Sequence, residues 1–131
     1  METLSKTTTS LKARPISPFQ KLMAANRGEI AVRINIAAAE LNIQTLSIYA
    51  YEDRNSAHRW DSDQSFLLPA SGTPVQAYLN ISNIIHIAKE NNVDAIHPGY
   101  GFLAESAKFA KACEDNGIVF VGPSVEVCTF L

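Results

Sequence analysis

Two short stretches of this 131-residue sequence carry the residue types that chemistry at a turn requires. The first runs Ala95-Ile96-His97-Pro98-Gly99-Tyr100-Gly101-Phe102-Leu103-Ala104-Glu105. Glycine lacks Cβ and accepts positive φ, and Pro98 fixes one φ, so the chain can turn sharply while presenting His97 and Tyr100. An imidazole at a strand end either makes structural hydrogen bonds or handles a proton. A ring held between Gly99 and Gly101 suits presentation to a ligand or to another domain, with packing against its own helix as the competing reading. Glu105 is expected in the first turn of the next helix, where a carboxylate favours the helix dipole. The second stretch, Asn26-Arg27-Gly28-Glu29, is a polar strand-to-helix turn.

Helix N-termini expected at Gly28 and Ala104 would offer N–H groups to an anion. Neither turn completes a dinucleotide fingerprint, since the first stretch has Gly99-x-Gly101 without a third glycine at the required offset and the second has one glycine. No Gly-rich loop ending in Lys-Ser or Lys-Thr exists in the sequence. His58 and His86 read as surface or loop histidines. Glu29, Arg33 and Glu40 share one helical stripe, which is either a solvated face or a polar subunit contact.

The elements that must position these residues follow from periodicity. Lys21 to Ala25 reads as a short strand, and Ile30, Ile34, Ala37, Ala38 and Leu41 recur at a helical spacing. Val32, Ile36 and Ala39 widen that stripe, predicting a helix covered on more than one side. Thr45 to Ala50 predicts a second strand, Tyr51 to Asn55 a charged loop, Ser56 to Trp60 a helical turn, and Gln64 to Leu68 an edge strand. Pro69 to Pro74 marks a loop. Asn80 is expected to cap a helix with Ile81, Ile84, Ile85 and Ala88 on one face, ending at Asn91-Asn92. Val93 to Ile96 then predicts a strand, Phe109, Ala112 and Cys113 a helical face ending at Asn116-Gly117, and Ile118 to Val121 a last strand. This alternation predicts an α/β fold, a parallel sheet with helices on both faces, whose ligands sit beyond the carboxyl ends of the strands.

With 47% hydrophobic and 18% charged residues and a net charge of -2, the sequence reads as one globular domain without a nucleic-acid footprint. No apolar run approaches the ~18 residues of a membrane span. Cys113 and Cys128 have neither metal-ligand spacing nor disulfide-scaffold density, and no metal site is expected. Residues 1–20, rich in Ser and Thr, fit a disordered tail or an organellar transit segment equally.

Five motifs in order, Met23 to Arg33, Tyr51-Glu-Asp-Arg54, Pro74 to Leu79, Ala95 to Glu105 and Phe120-Val-Gly-Pro123, closely resemble the N-terminal subdomain of biotin carboxylases over about residues 21–126. Glu52-Asp53-Arg54 followed by His58-Arg59 is most similar to the pyruvate carboxylases within that family, while Asp61-Ser62-Asp63-Gln64 departs from the usual run. The resemblance implies a Rossmann-like, pre-ATP-grasp fold and a ligase reaction. In it, ATP and bicarbonate form a carboxyphosphate, and the CO2 is captured by the ureido nitrogen of a biotin carried on a lysine. In pyruvate carboxylases a separate domain passes the carboxyl group to pyruvate. The resemblance implies that Tyr100 lies against biotin, that His97, Gly99, Gly101 and Glu105 shape that edge, and that Arg33 and Glu40 sit at a subunit interface where Ile36 replaces a common basic residue. It implies biotin, ATP, Mg2+ and bicarbonate as cofactors and substrates. The implied partners are a biotinylated carrier domain, the remaining carboxylase domains and a full-length carboxylase in an oligomer; the implied compartment is the mitochondrial matrix or the cytoplasm. Residues 127–131 stand where the family continues toward a Gly-Asp-Lys element and the ATP-grasp domain, so the polypeptide alone is expected to be inactive. A truncated protein that docks onto a full-length carboxylase, and the N-terminal domain of another ATP-grasp ligase, are the alternatives.

Overall fold

The computed structural model describes residues 19–122. The N-terminal tail or transit segment, apart from Phe19 and Gln20, lies outside the described residues, as do Pro123, Cys128 and the tail at 127–131. The chain runs β1 (Lys21–Ala24), α1 (Gly28–Glu40), β2 (Gln44–Tyr49), a 3-10 turn (Tyr51–Asp53), α2 (Ala57–Trp60) and β3 (Gln64–Leu67). It continues through α3 (Pro74–Ala77), α4 (Ile81–Glu90), β4 (Ala95–His97), α5 (Ala107–Asp115) and β5 (Val119–Phe120).

All strand pairs are parallel, and the sheet order is β3-β2-β1-β4-β5. Alternation along each strand separates two cores. Met23, Leu46, Ile48 and Ile96 face one side, packing with Ile84, Ile85 and Ala88 of α4 and Phe109 and Cys113 of α5. Leu22, Ala24 and Ala95 face the other, against Ala31, Ile34 and Ala38 of α1. Helices therefore cover both faces, as the sequence predicts. Burial pushes the Cys113 thiol up to about 12, an inert core thiol.

Three local expectations are corrected. The outer side of α1 is not covered among the described residues: Ile36 and Leu41 are 52% and 58% exposed, and Ala37 and Ala39 are exposed too. The apolar spacing is wider than the single sheet face available to bury it. Helix α5 starts at Ala107, not Ala104, because the Ser106 hydroxyl accepts the Phe109 N–H at 3.1 Å and so sets the N-cap. Helix α3 stands where a loop was expected to end, held by a capping box in which Thr73 and Gln76 satisfy each other's backbone N–H groups, with Pro74 in the first turn. At α4 the expected cap is present: Asn80 Oδ1 accepts the Asn83 N–H at 3.0 Å.

Strand order reverses at β1. The chain builds outward from β1 through β2 to β3, then returns to place β4 on the other side of β1. The crevice between the carboxyl ends of β1 and β4 is thus the topological switch point, where open α/β sheets hold ligands. Both turns singled out by the sequence emerge there.

Candidate functional site at the strand carboxyl ends

Asn26 joins the two turns. It is 1% exposed, and its Nδ2 donates to the Pro98 carbonyl at 2.8 Å and to the Tyr100 carbonyl at 3.0 Å. Its Oδ1 accepts the Arg27 N–H at 2.8 Å, so both amide protons and the amide oxygen are engaged. Arg27 is the N-cap of α1, and Gly28 and Glu29 are its first two helical residues rather than part of the turn.

On the β4 side, His97 Nδ1 accepts the Gly99 N–H at 3.0 Å, which places the neutral ring's proton on Nε2. Burial lowers the His97 pKa below its usual 6.5. His97 lines an apolar groove of about 340 Å3 with Leu22, Arg33, Ile34 and Leu41, on the α1 side of the sheet. Gly99 has φ +69°, and a Cβ there would sit 2.5 Å from Ile30 Cγ2 and 3.0 Å from Asn26 Nδ2. Gly101 has φ +76° with nothing within 4 Å of an added Cβ. Between them Tyr100 is 71% exposed, so packing against its own helix is not its role here. Glu105 is exposed in the turn before Ser106, outside the first turn of α5 where it was expected.

A polar cluster behind these turns was not legible in the sequence. The Arg27 guanidinium forms a two-pronged ion pair with Asp53, with Nε donating to Oδ2 at 2.8 Å and Nη2 donating to Oδ1. The Tyr78 hydroxyl donates to Asp53 Oδ2 at 2.7 Å and accepts the Ala50 N–H at 2.9 Å. The Arg27 hydrogen bonds outweigh burial and hold the Asp53 carboxyl below its usual range, while burial raises the Tyr78 phenol. His58 is corrected from a surface histidine to a fully buried one. Its Nδ1 accepts the Gly28 N–H at 3.2 Å and its Nε2–H donates to the Ile48 carbonyl at 3.1 Å, so it caps α1 from a distant element. Arg27, Asp53, His58 and Tyr78 have no short sequence spacing in common, and only the fold assembles them. His86 is exposed, as expected.

Arg33 and Glu40 are both exposed on α1, beside the exposed Ile36. Arg33 Nε donates to Glu29 Oε2 at 3.0 Å, a solvated i,i+4 pair. Among the described residues no group of three or more His, Cys, Asp or Glu side chains is arranged to hold a metal, and no helix is long and apolar enough to cross a membrane.

Comparison with known proteins decides the family. Residues 18–128 match the family described as biotin carboxylase, N-terminal domain. The chain belongs to this family. Human mitochondrial pyruvate carboxylase is 56% identical over 110 residues, a match covering 84% of this chain and 9% of the human protein. Bacillus subtilis pyruvate carboxylase is 55% identical over 108 residues, covering 82% of this chain and 9% of that protein. The crystal structure of a complete multifunctional pyruvate carboxylase from Rhizobium etli superposes with a TM-score of 0.84 at 42% identity, over 88% of this chain and 12% of that one. The biotin carboxylase domain dimer of Hydrogenobacter thermophilus 2-oxoglutarate carboxylase, solved with MgADP, ADP and bicarbonate, superposes at 0.80 and 43% identity, over 85% of this chain and 24% of that one. This biotin carboxylase N-terminal domain thus spans about a tenth of the length of its curated relatives.

Proposed function

We propose that residues 21–126 form the biotin-facing subdomain of a pyruvate-carboxylase-like enzyme, and that Tyr100 supplies the contact surface. The observation that carries this reading is the exposed Tyr100 ring on a turn fixed at the switch point of a biotin carboxylase N-terminal domain. A flat ring matches the flat ureido system of biotin and orients it without reacting. Gly99 and Gly101 give the turn its shape, and His97 holds it through the Gly99 N–H. Glu105 lies at the end of the same turn.

The reaction served is ATP- and bicarbonate-dependent carboxylation of a biotin on a carrier domain. Transfer of a phosphoryl group needs concentrated positive charge and usually Mg2+. The described residues assemble no such centre, and this reading therefore assigns ATP and Mg2+ to the other parts of a carboxylase and expects no turnover from the 131-residue polypeptide alone. The human relative is named as mitochondrial, and we place this chain in the mitochondrial matrix or the cytoplasm.

The test is a chimera. Residues 19–122 replace the corresponding segment of Bacillus subtilis pyruvate carboxylase, and bicarbonate-dependent ATP cleavage with free biotin is assayed. Retained activity supports the reading. A folded chimera that binds MgATP but cannot use biotin overturns it.

A second reading is favoured by the exposed apolar side of α1. Ile36 and Leu41 beside Arg33 and Glu40 suit docking onto a full-length carboxylase. Co-purification with that enzyme, weakened at least tenfold by Arg33→Glu, is the expected result. Equal recovery of the variant would remove this reading.

A further inference from the structure

Three of the four residues from Gly99 to Phe102 have a left-handed backbone: Gly99 at φ +69°, Gly101 at +76° and Phe102 at +45°. Two are glycines and adopt it freely. Phe102 is not, and a bulky side chain at positive φ is strained and persists only where its surroundings over-determine it. Its surroundings do so. The Phe102 ring stacks on Tyr78 with centroids 5.5 Å apart and planes 19° from parallel. Tyr78 is itself fully buried and tied by its hydroxyl to Asp53 and the Ala50 N–H. At the other end of the turn, the two Asn26 hydrogen bonds grip the carbonyls of Pro98 and Tyr100, on either side of Gly99.

We propose that Asn26 is a positioning residue for Tyr100: its amide clamps the turn at two carbonyls while the Tyr78–Phe102 stack locks its far end, so that the Tyr100 ring is presented in one orientation. The functional consequence rests on the reading of Tyr100 as the biotin contact; the clamp itself does not. The amide orientation is fixed by its partners, because the opposite assignment would set Oδ1 against two carbonyl oxygens. No other small polar side chain replaces it. Aspartate keeps the acceptor for the Arg27 N–H but has no proton to donate at neutral pH, serine has a single donor, and glutamine is one methylene too long for a site that is closed to solvent.

The clamp is tested on the 15N-labelled 131-residue chain. In the parent chain the amides of Gly99 to Phe102 are expected to give one sharp resonance each. In Asn26→Asp, of equal size, they split or broaden beyond detection, while those of Ala95, Ile96 and α5 stay in place. A merely structural role would lower stability without this local signature. Should Asn26→Asp not fold, Phe102→Leu decides the matter, since it removes the stack from a partly exposed position and is expected to broaden Tyr100 to Phe102. Unchanged Gly99 to Phe102 resonances in whichever variant folds overturn the proposal. In the chimera, Asn26→Asp is expected to raise the KM for biotin at least fivefold with the KM for ATP unchanged. If the resonances split but Tyr100→Ala leaves the biotin KM untouched, the biotin reading fails and the clamp stands.

Discussion

At the scale of single residues, the site depends on side chains whose partners leave no slack. His58 accepts a hydrogen bond from the Gly28 N–H and donates one to the Ile48 carbonyl, an arrangement open only to the neutral ring. Burial keeps its pKa below 6.5, and it does the same to His97. As pH falls through 6.5 the unfolded chain takes up protons that the folded chain refuses, so stability decreases, by up to about 1.4 kcal/mol per pH unit for each histidine. Asp53, whose carboxyl lies below its ordinary 3.8, contributes stability that is present above that value and lost only as pH drops further. The window from pH 7 to pH 5 therefore belongs to the histidines. Urea melts across it are expected to show falling stability in the parent chain and a shallower fall in His58→Gln, whose amide can serve both partners. Equal slopes would place the proton uptake elsewhere.

At the scale of elements, the turn after β4 separates two glycines that the sequence treats alike. Gly99→Ala meets both positive φ and a methyl 2.5 Å from Ile30 of α1, and about 3 kcal/mol of destabilisation is expected. Gly101→Ala meets only the backbone penalty, about 1 kcal/mol, since the space around it is open. Chemical denaturation of the two variants checks this difference, and equal losses would contradict the packing of α1 against the turn. Periodicity made the strands, α1, α4 and α5 legible, because alternation and the 3.6-residue repeat are set by which face is buried. Asn80 and Asn116-Gly117 were legible because capping is local chemistry. Helix α3 was readable in principle from Thr73-Pro74-x-Gln76 but is only four residues long. Helix α1 starts at Gly28 as expected, with Arg27 as its cap, whereas α5 starts three residues after the expected Ala104 because Ser106 occupies its cap. His58, Asp53 and Tyr78 could not be placed from sequence at all. Apart from Ile48, 10 residues from His58, their partners lie 25 to 30 residues away, and only the folded chain brings them together.

At the scale of the whole molecule, a parallel sheet whose strand order reverses at β1 turns two separate sequence motifs into one edge. The Asn26 amide crosses that edge, and Tyr100 stands on it. The same fold leaves the outer side of α1 and Tyr100 at the tip of the β4 turn exposed. In the function we propose, the first serves assembly of a larger carboxylase and the second contacts biotin. The central claim is the second. It is tested most directly by the KM for free biotin of the chimeric carboxylase with Tyr100→Ala, read beside the KM for ATP. A flat aromatic contact worth about 1.4 kcal/mol corresponds to a tenfold change in affinity, so a roughly tenfold rise in the biotin KM is expected with the ATP KM unchanged and Tyr100→Phe close to the parent. A biotin KM unaltered by Tyr100→Ala would contradict the account.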